Sequence, residues 1–325
     1  MNISLTPHRR DFLTAAMATT AAMTAAFPLS QALAQAPANR TLRIGYQKGL
    51  LTLLKDRGTL EKSLAPLGVN VTWTEFNAGP VQLEALNVGS IDFGDVGEAP
   101  PVFAQAAGAP LVYAAVTVPR PTNEGLIVPK GSLVQKVTDL KGKKIALNKG
   151  SNVQYFLAKL LDKHGLAYSD VTPVFLAPAD ARAAFVQGSI DAWVIWDPFL
   201  AAAQKSLDAR LIADATGVVN NRGYYFTSRS FSDKNADVLR VAVEEVRGID
   251  KWVASHRAEA ARELAAILGL ERSVVELYVN RSSHGILPIT KAILLEQQEI
   301  ADTFFALKLL PKKINILDAA LAGLA

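Results

Sequence analysis

The sequence predicts an α/β protein of two lobes carried behind an export segment, and three observations predict it. Apolar runs of strand length alternate with helix-length stripes at short spacing from residue 41 to residue 230, the pattern of parallel strands covered by helices. The tetrapeptide Gly-Ser-Ile-Asp occurs at 89–92 and again at 188–191, each time after an apolar-striped helix and before an apolar strand. The first 36 residues hold Arg9-Arg10, a nearly uncharged run rich in alanine and threonine, and the ending Ala34-Gln35-Ala36.

That opening has the charged start, apolar middle and small-x-small ending of a secretory signal cleaved after Ala36. Arg9-Arg10-Asp11-Phe12-Leu13 resembles the twin-arginine type, which implies export to the periplasm. Phe12 to Phe27 falls short of the roughly 20 apolar residues a spanning helix needs, which argues against an anchor. Removing residues 1–36 takes away one of the four net positive charges of the 325-residue chain. The remaining mild basicity fits an anionic ligand without demanding one. No Lys/Arg tract is interleaved with aromatics, so nucleic acid is not an expected partner. The absence of cysteine excludes thiol chemistry, disulfides and thiolate metal sites. A chain with 50% hydrophobic residues and this length supplies a core, most naturally as two domains.

Taken in order, Leu42 to Tyr46 reads as a first strand ending at a glycine loop, followed by a helix over 50–67. "VNVTWTEF" alternates, with Val69, Val71 and Trp73 on one face of a strand. "GPVQLEALNVG" is a short helix closed by Gly89, "SIDFGDVG" a short strand, and Pro100-Pro101 open another helix. "PLVYAAVTV" is a strand. "EGLIVPKGS" and "KGKKIALNKGS" are strand-like, "VQYFLAKLLDKHG" is a helix, "VTPVFLAP" a strand and "ADARAAFVQG" a helix. "SIDAWVIWDP" is a strand with Trp193 and Ile195 on one face and Trp196 at its end. Beyond Asp233 the composition turns to helices at 236–256, 257–268, 273–280 and 290–307, a tail expected to pack back on the first lobe. The chain is then expected to cross between lobes twice, near 123–128 and 223–228. This gives a first lobe of 41–125 with 229–325 and a second of 126–228. The repeated tetrapeptide reads as one helix–Gly–strand unit shared by both lobes, a mechanical signal that carries no chemistry.

Several of these stretches together resemble the periplasmic solute-binding component of ABC importers for aliphatic sulfonates. The group also holds nitrate, bicarbonate and thiamine-precursor binding proteins. The resemblance rests on "RIGYQKG", "GPVQLEALNVGSIDFGDVGEAPPVFAQAAGAPLVYAA", "VTDLKGKKIALNKGSNVQYFL", "FLAPADARAAFVQGSIDAWVIWDPF" and "YYFTSR". "DLKGKKIALNKGSN" and "DAWVIWDP" are the stretches specific to the branch. It implies a type II periplasmic-binding fold, α/β with two lobes around an interlobe cleft and a helical C-terminal region. It also implies capture of a small organic anion, an alkanesulfonate, and delivery to an inner-membrane permease. The protein is expected to act as a monomer, with no cofactor and no metal.

A sulfonate is a permanent anion that neutral donors can hold, above all the unpaired N–H groups at helix starts. Gln47 and Gly49 follow the first strand, where open α/β sheets bind ligands; Lys48 between them reads as a solvated lysine or an anion-steering one. Glu98 and Ala99 form the equivalent loop after the first tetrapeptide unit. Glu98 departs from the neutral residue usual there, and three readings stay open for it: facing the cleft and an amine-bearing ligand such as taurine, facing solvent, or pairing with Lys48. Ser151 and Asn152 precede a helix, either as its ordinary cap or as donors to a ligand. Asp180 and Ala181 begin a second helix of the same lobe, with Asp180 as a cap, a partner of a ligand amine or a partner of an arginine across the cleft. Trp193 reads as core, whereas Trp196 beside Asp197 is placed to wall the cleft against an alkyl or aromatic tail. Tyr224 or Tyr225 would close the opposite side; the plainer reading has one packed and the other exposed.

An enzyme is the rival class. The four histidines are His8, His164, His256 and His284; none has metal-ligand spacing with another, and neither G-x-S-x-G nor a phosphate-binding P-loop occurs. Among receptors, nitrate, taurine, carboxylate or pyrimidine-like solutes are the alternatives to a sulfonate.

Overall fold

The structure, a computed structural model, describes residues 40–321. The export signal expected over 1–36 lies outside them. The first half holds β1 (Arg40–Tyr46), α1 (Leu50–Arg57), α2 (Thr59–Leu64), β2 (Val69–Glu75), α3 (Gly79–Asn87), β3 (Phe93–Gly97), α4 (Pro100–Ala106) and β4 (Leu111–Thr117). A second series follows: β5 (Glu124–Val128), β6 (Lys144–Leu147), α5 (Asn152–Lys163), β7 (Thr172–Phe175), α6 (Pro178–Val186), β8 (Ala192–Trp196), α7 (Phe199–Ser206) and β9 (Arg210–Asp214). The chain ends through β10 (Gly223–Ser228), α8 (Arg229–Lys234), α9 (Ala236–Ser255), α10 (Arg257–Leu268), α11 (Arg272–Arg281), β11 (Ile286–Leu287) and α12 (Lys291–Ala306). The helix expected over 50–67 is broken at Gly58, whose left-handed backbone (φ 60°) ends α1 and redirects the chain into α2.

The strands form two sheets of like order. The first runs β11-β4-β10-β3-β1-β2 and the second β7-β6-β8-β5-β9. In each, the strand second from one edge, β1 or β6, pairs in parallel with both neighbours, and the strand reached by crossing from the other sheet lies antiparallel in fourth place from that edge. The expected second lobe, 126–228, took in residues 223–228. Hydrogen bonding places them instead as β10, between β3 and β4 of the first sheet. Glu124 and Gly125 already belong to the second sheet. The crossings are therefore residues 118–123 and 215–222.

The repeated tetrapeptide does the same work in both sheets. Gly89 and Gly188 close α3 and α6 in the left-handed region, at φ 72° and 69°, where a side chain would be strained. Ser90 and Ser189 donate back to the carbonyls of Ala85 and Ala184. Ile91 and Ile190 are buried, and Asp92 and Asp191 each accept a backbone N–H of the neighbouring parallel strand, from Arg43 of β1 and Lys144 of β6.

The helical tail packs on the first sheet, as expected. α9 buries Val238, Leu239, Ala242, Val243, Val246, Ile249 and Val253, a stripe at helical spacing. That stripe meets Leu51, Leu53 and Leu54 of α1 and Leu42 and Ile44 of β1, all essentially fully buried. Each such leucine stabilises by roughly 1.5–3 kcal/mol, so this layer holds the chain's end to its beginning. Trp193 is core as expected, 1% exposed and tilted against Phe185 in the second lobe's outer cluster. Five elements escaped the sequence reading: α7, β9, β10, α8 and the two-residue β11.

Candidate ligand-binding cleft

Parallel strands present their carboxyl ends, and the starts of the helices that follow, to one edge of each sheet. Here the two edges face each other across a cavity of about 140 Å3. From the first sheet come Gln47, Lys48 and Gly49 after β1, Asp95, Val96 and Gly97 at the end of β3, and the helix starts at Gly79 and Pro100. From the second come Ser151 and Asn152 at the start of α5, and Trp196 and Asp197 at the end of β8. The crossings add Arg120, Asn123, Asn221 and Arg222, and Tyr278 of α11 completes the wall.

The starts of α1, α3 and α5 on one cavity leave backbone N–H groups and the positive ends of helix dipoles toward it. Ser151 occupies the cap position of α5 but does not cap it: its hydroxyl donates to the carbonyl of Asn148 at 2.7 Å and accepts no helix N–H. Asn152 is committed elsewhere, its Nδ2 donating to Glu124 and, at 3.1 Å, to Oδ1 of Asn221. What α5 offers a ligand is therefore mainly its backbone. Trp196 is half-buried and meets Phe199 edge-on, with ring centroids 6.2 Å apart. Gln47 donates from Nε2 to the carbonyl of Asp95 at 3.3 Å.

Carboxyl groups crowd the floor of the cleft, and burial pushes them up. Asp197 accepts from the N–H of Ala201, lies 3.1 Å from Nε of Arg281, and is still raised to about 7 by desolvation. Asp95 is raised to about 7 by the same cause, with the Arg120 charge opposing it. Arg120 bonds Asp250 at 3.0 Å, and Asp250 also meets Nδ1 of His284 at 3.1 Å. Glu98 is raised to about 7 and Glu124 well above the usual carboxylate range, both by burial; the Glu98 charge also acts on Glu124.

Of the residues expected in the site, Gln47, Gly49, Ser151, Asn152, Trp196 and Asp197 come together on this cavity. The other five do not line it. Glu98 is 3% exposed, its Oε2 accepting the N–H of Arg222 at 2.9 Å, so it neither faces solvent nor pairs with Lys48. Ala99 is fully buried in the apolar core. Asp180 stands exposed in the first turn of α6 with no side-chain capping bond there, and Ala181 packs inward beside Phe185. Tyr224 and Tyr225 are both buried, because β10 runs through the middle of its sheet: Tyr224 meets Tyr113 edge-on at 5.1 Å and Tyr225 stacks on Phe93 at 6.1 Å. Sequence reasoning missed Asp95, Arg120, Asn123, Asn221, Arg222 and Tyr278.

Comparison with known proteins agrees with this architecture. Residues 66–260 match the family described as NMT1/THI5 like. An aliphatic sulfonates-binding protein of Escherichia coli K12 is 40% identical over 288 residues, 88% of this chain and 90% of that protein. The solved alkanesulfonate-binding protein of Xanthomonas axonopodis pv. citri, bound to MOPS, is 40% identical with a TM-score of 0.84, covering 88% of this chain and 99% of the other. The periplasmic aliphatic sulphonate binding protein of Escherichia coli, also solved, is 39% identical with a TM-score of 0.79, over 87% and 92% of the two chains. The chain belongs to the NMT1/THI5-like family, in its aliphatic-sulfonate-binding branch, and has the periplasmic-binding fold.

Proposed function

We propose that the protein is a periplasmic receptor that captures aliphatic sulfonates and hands them to the permease of an ABC importer. The observation that carries this reading is the cavity between the two sheets, onto which α1, α3 and α5 direct their starts. A sulfonate's three oxygens suit several N–H donors, and a tail can lie along Trp196. The 40% identity to a relative solved with MOPS, itself a propanesulfonate, supports the same ligand class. The lobes close around the ligand by hinging at the crossings 118–123 and 215–222, and the closed pair of lobes is what the permease meets. Export by a twin-arginine signal, action as a monomer and the absence of catalysis belong to the same reading. Among the described residues no helix is long and apolar enough to cross a membrane.

A thermal-shift panel tests the ligand class. A solute that binds only the folded protein stabilises it by roughly 2.7 kcal/mol at a hundredfold excess over Kd. Methane-, butane- and benzenesulfonate are expected to raise the melting temperature where nitrate, sulfate and the matching carboxylates do not. Trp196→Ala tests the tail wall. Each buried methylene is worth about 0.8 kcal/mol, so this variant should weaken butanesulfonate severalfold more than methanesulfonate. Equal losses for the two would remove Trp196 from the tail site.

A further inference from the structure

We propose that Asp95 makes this cleft selective, among sulfonates, for those that also carry a protonated amine. The inference rests on the sulfonate-receptor reading and narrows it. Asp95 lies two residues inside the end of β3 and lines the cavity, and its Oδ1 is buried with no hydrogen-bond partner. Asp197 is committed to Ala201 and Arg281, and Asp250 to Arg120 and His284; Glu98 accepts the N–H of Arg222 through Oε2, and its unpartnered Oε1 does not belong to this cavity.

The charges around Asp95 do not balance. Arg120, the cation acting on it, gives an Nη to Asp250 at 3.0 Å, so an ionised Asp95 leaves Arg120, Asp250 and Asp95 together with one negative charge in excess. Tyr225 pairs with Asp95 across the sheet and Tyr278 lines the same cavity; both are neutral and supply no cation. Lys48 also lines the cavity but is exposed. A second acceptor, Oδ1 of Asn123, is likewise buried without a partner on this cavity. Two free acceptors and one unbalanced charge call for a donor-bearing cation. The helix starts call for an anion. A small molecule bearing both satisfies the whole lining, whereas a plain alkanesulfonate leaves the buried Oδ1 of Asp95 without a partner.

The test is a titration of the wild-type protein and Asp95→Asn with two matched pairs: taurine against ethanesulfonate, and 3-aminopropanesulfonate against propanesulfonate. A charge pair made in a desolvated cleft predicts that the wild type binds each amino member at least about tenfold more tightly. Asp95→Asn should erase or invert that preference, weakening the amino-sulfonates about tenfold while leaving the alkanesulfonates within about threefold, since asparagine keeps the shape and loses the charge. No preference in the wild type, or a variant that weakens both members of a pair equally, overturns the proposal and leaves the receptor standing. Failure of all four ligands to bind the wild type overturns the receptor reading and this proposal with it. The wild-type preference decides the matter even where the variant folds poorly.

Discussion

Gly97→Val is expected to weaken ligand binding at least about tenfold while leaving the ligand-free protein folded. Gly97 ends β3 on the first lobe, and Asn152 starts α5 on the second. A Cβ at Gly97 would stand 2.8 Å from Oδ1, 2.9 Å from Cγ and 3.1 Å from Cβ of Asn152. Asn152 has little freedom to give way, because its amide is bonded to Glu124 and Asn221. The backbone at Gly97 is ordinary strand, so the added side chain strains nothing within its own lobe. The three atoms nearest its Cβ all belong to Asn152 across the cleft, and opening the lobes relieves that clash. A ligand that binds by closing them must then overcome the clash, and a 1.4 kcal/mol bias toward the open form already costs tenfold in affinity. Unchanged affinity, measured by titration with a sulfonate that binds the wild type, would show that these two residues do not meet in the bound state.

Stability should fall as pH rises through neutrality, the reverse of what paired surface carboxylates produce. Asp95, Glu98 and Asp197 are held up to about 7 and Glu124 well above its ordinary range, with burial as the leading cause in each. A carboxyl raised in the folded state keeps a proton that the unfolded chain releases near pH 4. Its contribution is complete below that range and is lost as pH climbs through about 7. Forcing one such group to ionise in place costs roughly 3–4 kcal/mol, of which about 2 kcal/mol falls between pH 5.5 and 7. Together they predict a ligand-free melting temperature lower at pH 8.5 than at pH 5.5 by more than about 10 °C at constant ionic strength. Glu98→Gln and Glu124→Gln keep the acceptors for Arg222 and Asn152 and should each flatten the slope. A melting temperature that is flat or rises over this interval would mean that water or rearrangement compensates these charges.

Much of the fold was legible because its signals are local. Glycine closures after striped helices, alternation in β2 and the tetrapeptide at 89–92 and 188–191 each report on a few neighbouring residues. What was missed depends on packing. β9 is half-buried at every position, so it shows no alternation, and β11 is two residues held to β4 by pairing alone. Placing β10 in the first sheet required knowing which strands leave a slot for it. The site divides the same way. The strand-end residues Gln47, Gly49, Ser151, Asn152, Trp196 and Asp197 could be placed from the rule that such ends face ligands. Arg120, Asn123, Asn221 and Arg222 come from the crossings, and Tyr278 from the tail, whose approach to the cleft no local pattern encodes. Asp95 did carry a signal: a carboxylate set between buried Gly94 and Val96, in the middle of an otherwise apolar strand. Glu98 drew the attention instead, as the more conspicuous loop acid, and its partner turned out to be the backbone of Arg222.

Calorimetric titration of the purified, ligand-stripped protein with butanesulfonate and with pentanoate, its carboxylate counterpart, tests the central claim most directly. One equivalent of butanesulfonate binding and being recovered unchanged, with pentanoate bound at least about tenfold more weakly, is the predicted result. Equal or tighter binding of pentanoate, or chemical conversion of the sulfonate, would contradict it.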